Sequence, residues 1–205
     1  MLNTKTNKLK NKKILLVCKE RTSFTMYFLG KQLEKNNNIV HYYFAHHADV
    51  FVKNNFNEGT YYYFKENINI EKLHHVKDIY VKFINNRKNI KINFERLEEI
   101  KKKYTFFKSL NKQLLSSQFI STAYHDLPFV PTTYEENLYW LTLNYDKAEQ
   151  LIEEIKPDCI IHTESGEIQS TIINEIAHHK QLPYINLEDS RYKNFILPTF
   201  SLGLH

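Results

Sequence analysis

Apolar residues fall along this chain in short blocks whose spacing alternates between two periods, and that alternation predicts an order of elements. Residues 13–18 (KILLVC) are a continuous apolar run bounded by charge, the pattern of a strand buried on both faces of a parallel sheet. Residues 22–36 follow with Met26, Leu29 and Leu33 at helical spacing, Thr22 and Ser23 to cap the start and an Asn run to stop it. Residues 39–44 read as a second strand, and strand, helix, strand within ~30 residues is a right-handed βαβ unit. Residues 60–64 (TYYYF) predict a third strand after a polar loop with Asn57 and Gly59. Residues 70–89 have no clear period. From Phe94 onward, apolar positions at 94, 97, 100, 104, 107, 110 and 114 predict one long amphipathic helix with Lys101, Lys102 and Lys103 on its wet side.

Pro128 and Pro131 interrupt the pattern, and Thr132 and Thr133 then stand three residues ahead of Glu135 and Glu136, the spacing of a capping box. The apolar series Tyr134, Leu138, Leu141, Tyr145, Ala148, Ile152 and Ile155 steps by fours and threes up to Pro157. It predicts a helix of ~24 residues and ~36 Å over 132–156, long enough to outreach a small sheet. A strand over 159–163, a helix started by Ser165 and Gly166 with Ile168, Ile172, Ile176 and Ala177 on one face, and a strand over 183–187 make a second βαβ unit. The fold class expected is α/β: a three-layer sandwich with a mostly parallel, Rossmann-like sheet.

Composition narrows the classes. At 205 residues, with 42% hydrophobic and 14% aromatic positions, the chain suits one core and not two, and is unlike a disordered sequence. We divide it into a flexible Lys-rich leader over 1–12 and a single Rossmann-like domain over 13–205. The net charge of +5 equals the contribution of the five lysines within residues 1–13 (Lys5, Lys8, Lys10, Lys12 and Lys13), a stretch without acids, and no nucleic-acid-binding pattern follows them, so no nucleic acid is expected as partner. No apolar stretch approaches the ~18 residues of a membrane span, and the first residues lack an apolar signal core, so a cytoplasmic protein is expected. Cys18 and Cys159 lie inside apolar runs, as reduced buried thiols do.

Ligands of an open parallel sheet bind outside the carboxyl ends of its strands, which directs attention to the loops 19–23, 45–50, 162–167 and 188–192. The first of these has no glycine, and neither G-x-G-x-x-G nor G-x-x-x-x-G-K-[ST] occurs, so no nucleotide cofactor is expected. Glu164 and Glu167 stand at a strand end and helix start, where either can act as a general base or accept from sugar hydroxyls, or where Ser165 and Glu167 merely complete the helix start. Arg191, beside Ser190, can grip a phosphate or carboxylate, or pair with Glu188 or Asp189. Arg21 at the mouth of the first strand can meet an anion with the free N–H groups of the next helix. The pairs His46-His47 (with Asp49), His74-His75 and His178-His179 have no metal-ligand spacing, and no metal is expected.

Four segments together resemble a known family: KILLVCKERTSF with MYFLGKQLEKNNNIV, AEQLIEEIKPDCII, TESGEIQSTIINEIAHHKQLPY, and NLEDSRYKNFIL. Their order and spacing are similar to the N-terminal half of bacterial surface and capsular polysaccharide biosynthesis proteins with the GT-B glycosyltransferase fold. The resemblance covers roughly half of the chain, at both ends. It implies an acceptor-side domain for a saccharide or lipid-linked saccharide, with the nucleotide-sugar donor bound only by a second domain, no transfer by these residues alone, and room for peripheral membrane association. Glu164 and Glu167 would be the catalytic carboxylates, and Arg21, Ser165, Gly166, Ser190 and Arg191 would contact substrate. Two alternatives remain open: a non-catalytic α/β binding or scaffold module docking through the 132–156 helix, and one half of a sugar-nucleotide epimerase-like enzyme.

Overall fold

A computed structural model of the chain describes residues 9–19, 22–45, 56–106, 108–117, 132–163, 168–189 and 196–199. Its strands are β1 (Lys13–Cys18), β2 (Ile39–Phe44), β3 (Leu73–His75), β4 (Cys159–His162), β5 (Tyr184–Asp189) and β6 (Ile196–Thr199). They form one sheet in the order β3-β2-β1-β4-β5-β6. The first five strands run parallel, and β6 joins β5 antiparallel, with Leu187 opposite Pro198. Helices α1 (Ser23–Glu34), α2 (Phe56–Asn67), α3 (Lys77–Asn86), α4 (Phe94–Lys103), α5 (Asn111–Ser117), α6 (Tyr134–Ile155) and α7 (Ile168–His179) cover both faces, so the protein is an α/β three-layer sandwich of Rossmann-like order.

The period of two in the strands decides which helix covers which face. Ile14, Leu16 and Cys18 of β1, with Val40, Tyr42 and Phe44 of β2, pack against Met26 and Tyr27 of α1 and Phe64 of α2. Leu15, Val17, Tyr43 and Ile160 point the other way, into a larger layer built from α3, α4, α6 and α7. Tyr42 lies across Gly30, where an added Cβ would stand 2.0 Å from its hydroxyl oxygen. The entry to the sheet is fixed by side chains: Asn38 accepts from Lys12 N at 2.9 Å and donates to Leu9 O at 3.0 Å. Asp158 takes Lys12 Nζ at 2.9 Å and Lys13 N at 2.8 Å. Residues 9–12, expected within a flexible leader, are therefore tied to the sheet.

The first and second strands match expectation to the residue, and the strands of the last βαβ unit match with ends shifted by one or two residues. The structure corrects three other readings. Residues 60–64 belong to helix α2, because Phe64 and Ile68 are buried against the sheet while Tyr62 and Tyr63 are exposed, which is a helical and not an alternating pattern. The predicted single helix from Phe94 breaks after Lys103: Thr105 Oγ1 donates to Lys101 O at 2.7 Å and Lys108 takes a positive φ of 53°, so α5 restarts at Asn111. Thr22 does not cap α1 with its side chain; its hydroxyl donates to Lys19 O at 2.6 Å. The stretch without a clear period holds the short edge strand β3 and α3, which a periodicity argument on three residues could not find.

Helix α6 starts with the expected capping box: Thr133 Oγ1 accepts from Glu136 N at 3.2 Å, and Glu136 Oε2 accepts from Thr133 N at 2.7 Å. Arg87 pairs with the same Glu136, and Arg96 and Tyr104 bind Glu149, so α3 and α4 are clasped to this helix. It does not overreach the sheet as a free rod. It is the middle of its layer, buried along Leu138, Leu141, Tyr145, Ala148, Ile152 and Ile155, and its outward positions Glu135, Asp146, Gln150, Glu153 and Glu154 are polar.

Candidate functional site at the carboxyl edge

The chain moves from β1 outward through β2 to β3, then returns to place β4 and β5 on the other side of β1. Helix α1, leaving β1, packs on one face of the sheet, and α7, leaving β4, packs on the opposite face. The connections therefore diverge at the carboxyl ends of β1 and β4, a switch point of the kind where open α/β sheets bind their ligands. Val17 stands beside His162 in the ladder, so the next residues, Cys18 and Thr163, are level there.

Every site residue predicted from sequence follows one of these strand ends: Arg21 follows β1, Glu164, Ser165, Gly166 and Glu167 follow β4, and Ser190 and Arg191 follow β5. All seven lie outside the described residues, as do His46, His47 and Asp49. The described residues at this edge are those at the strand ends and helix starts themselves.

These residues are polar for so deep a position. His162 is fully buried at the end of β4, and its Nε2 lies 3.2 Å from Ser170 Oγ in the first turn of α7. Burial, with the Lys19 cation nearby, lowers its pKa to about 3, so the ring is neutral and serves as a hydrogen-bonding post between β4 and α7. Asn186, also fully buried, is its ladder partner on β5. Ser23, at the start of α1, is 1% exposed, and its hydroxyl has no protein partner; the Thr163 hydroxyl is buried and equally unpartnered. Cys18 is a buried thiol outside any disulfide whose Sγ donates to Leu16 O at 3.8 Å, and burial raises the Cys159 thiol to about 11, so Cys159 is not an activated nucleophile.

Sequence reasoning missed two polar constellations. The His162–Ser170 pair was invisible because the partners come from different elements. Glu175 accepts from Gln113 Nε2 and from Tyr145 OH, both at 2.6 Å, and burial raises its pKa. A signal existed, since Glu175 is the only ionisable residue between Ile168 and Ala177.

The histidine pairs have structural surroundings. His41 Nδ1 and His74 Nε2 are 3.2 Å apart in rings inclined by only 25°, and their centroid separation of 5.4 Å exceeds that distance by about two ring radii. The rings therefore meet end to end through one N–H···N bond. His75 Nδ1 accepts from Lys77 N at 2.8 Å, His178 packs on Phe106, and His179 packs on Tyr104. Among the described residues no three His, Cys, Asp or Glu side chains are grouped to hold a metal, and no helix is long and apolar enough to cross a membrane.

A groove of about 530 Å³ lies at the opposite edge, between Ile152, Glu153, Lys156 and Pro157 at the end of α6 and Lys180 and Leu182 ahead of β5. Lys180 is paired with Glu153 at 3.3 Å, and both lysines sit where helix carbonyl ends favour cations, so the groove is accounted for by helix termini. We place the candidate site at the carboxyl edge. No family model, no curated protein and no solved structure matches the chain.

Proposed function

We propose that the chain is the acceptor-side domain of a glycosyltransferase-like protein, acting in the cytoplasm on a saccharide or lipid-linked saccharide. The observation that supports the reading is the reversal of strand order at β1 and β4, which sets the carboxyl ends of β1, β4 and β5 side by side at one edge of the sheet, where such folds bind ligands. Those ends lead directly into the segments with Arg21, with Glu164 and Glu167, and with Arg191. In this scheme Glu164 or Glu167 takes the proton of an acceptor hydroxyl. The hydroxyl oxygen then bonds to the anomeric carbon of a nucleotide sugar held by a second domain, and the nucleotide leaves with its phosphates near the arginines. Buried, neutral His162 fixes the root of the β4–α7 connection and touches no substrate.

The test is binding first and turnover second. Oligosaccharide acceptors should perturb backbone signals of Thr163, Ser23 and Asn186 in solution. In a preparation supplied with the donor-binding half, Glu164→Gln should leave acceptor binding intact and lower transfer by about a hundredfold or more. Transfer by the 205 residues alone would contradict the acceptor-only assignment, and unchanged activity of Glu164→Gln would remove that residue from the chemistry.

A further inference from the structure

The start of α1 is unlike a finished helix start. Helices leave their first N–H groups without internal partners, and side chains usually supply acceptors. Here α4 is capped by Asn93, which accepts from Arg96 N, and α6 is capped by Thr133. The N-cap of α1, Thr22, turns its hydroxyl back to Lys19 O, and no acidic residue lies in the first turn. Among the described residues, the positive end of this 12-residue helix has no side-chain cap and no carboxylate in its first turn.

A second, independent observation is Ser23. It is the first residue of α1, so its Cα–Cβ bond leans toward the helix start. It is 1% exposed, yet its hydroxyl has no partner, and burying an unpaired hydroxyl is unfavourable. The unpartnered Thr163 hydroxyl lies across the switch point, level with Cys18. Lys19 sits close enough to act on His162 as a positive charge. Among the described residues, two buried hydroxyls, a helix start and a cation make a donor-rich corner.

We propose that this corner is a seat for a phosphoryl group, bound by the first turn of α1 with Ser23 Oγ and Thr163 Oγ1 as hydroxyl donors. The inference deepens the acceptor reading, because the sheet edge is the same one, and it names a phosphorylated acceptor as the ligand class.

The experiment uses the intact chain, with inorganic phosphate and glucose 1-phosphate as probes, read by backbone amide shifts and urea unfolding. Saturable shifts at Ser23, Thr25 and Thr163 are expected. Ser23→Ala, which deletes an unpaired buried hydroxyl and should fold normally, is expected to weaken binding about tenfold. Thr22→Asp supplies the missing cap carboxylate, so it should raise the urea midpoint and abolish binding together. Tighter binding of glucose 1-phosphate identifies a phosphosugar as the source and equal binding identifies a free anion, and both outcomes support the seat. No saturable binding, or binding that survives Thr22→Asp, overturns it. Phosphate binding without saccharide binding would leave the seat and remove the carbohydrate reading; saccharide binding without phosphate would do the reverse.

Discussion

Gly30 is the residue at which a single methyl group decides whether α1 can lie against the sheet. Tyr42 crosses the helix there, and a Cβ at Gly30 would fall 2.0 Å from its hydroxyl oxygen and 2.7 Å from Cζ. Gly30→Ala should therefore cost about 1–3 kcal/mol despite the better helix propensity of alanine, as measured by urea unfolding. Tyr42→Phe removes a buried hydroxyl that has no partner and should be neutral or slightly stabilising in the same assay. At this scale the sequence is hard to read. The buried state of Cys18 and Cys159 follows from their apolar neighbours, but nothing near Glu175 in the chain announces Gln113 and Tyr145, which lie 62 and 30 residues away.

Elements were readable where one periodicity ran long enough to outweigh local ambiguity. The 134–155 series shows its helix at every turn, and Thr133 with Glu136 marks its start. Thr133→Ala should cost about 1 kcal/mol, seen as a lower melting temperature, since it frees Glu136 N, while the backbone N–H of residue 133 and Arg87 still hold the Glu136 carboxylate. The TYYYF run misleads because aromatics are β-formers by propensity. Its helix exists because Phe64 and Ile68 fit the face of the sheet left open beside α1. The series from Phe94 keeps helical spacing across a break because Tyr104 is itself buried: the core asked for an apolar residue there, not for a helix.

The sheet carries buried and half-buried histidines that bind protons poorly. His74 and His75 on β3 have pKa values lowered to about 4 and His162 on β4 to about 3, each mainly by burial. The unfolded chain takes up protons near ~6.5 and the native state does not, so stability is fully present above that value and falls as pH drops toward 4. Urea midpoints should be lower at pH 5 than at pH 7, and His74→Gln should reduce that difference. Glu175, whose pKa burial raises, acts in the opposite sense, its contribution being lost as pH rises above the ordinary carboxyl range, and Glu175→Gln separates the two effects.

From the chain alone came the α/β class, the first two strands, the capped α6 and the last βαβ unit, because these depend on local periodicity and on turn and cap chemistry between near neighbours. Only the tertiary structure decided that β4 returns to the side of β1 away from β2, that β3 closes one edge, and that Ser23 and Thr163 lack partners. Those outcomes depend on which buried faces of different elements meet, from Tyr42 beside Leu73 to Ile14 beside Cys159, and no spacing within a single element encodes such a pairing.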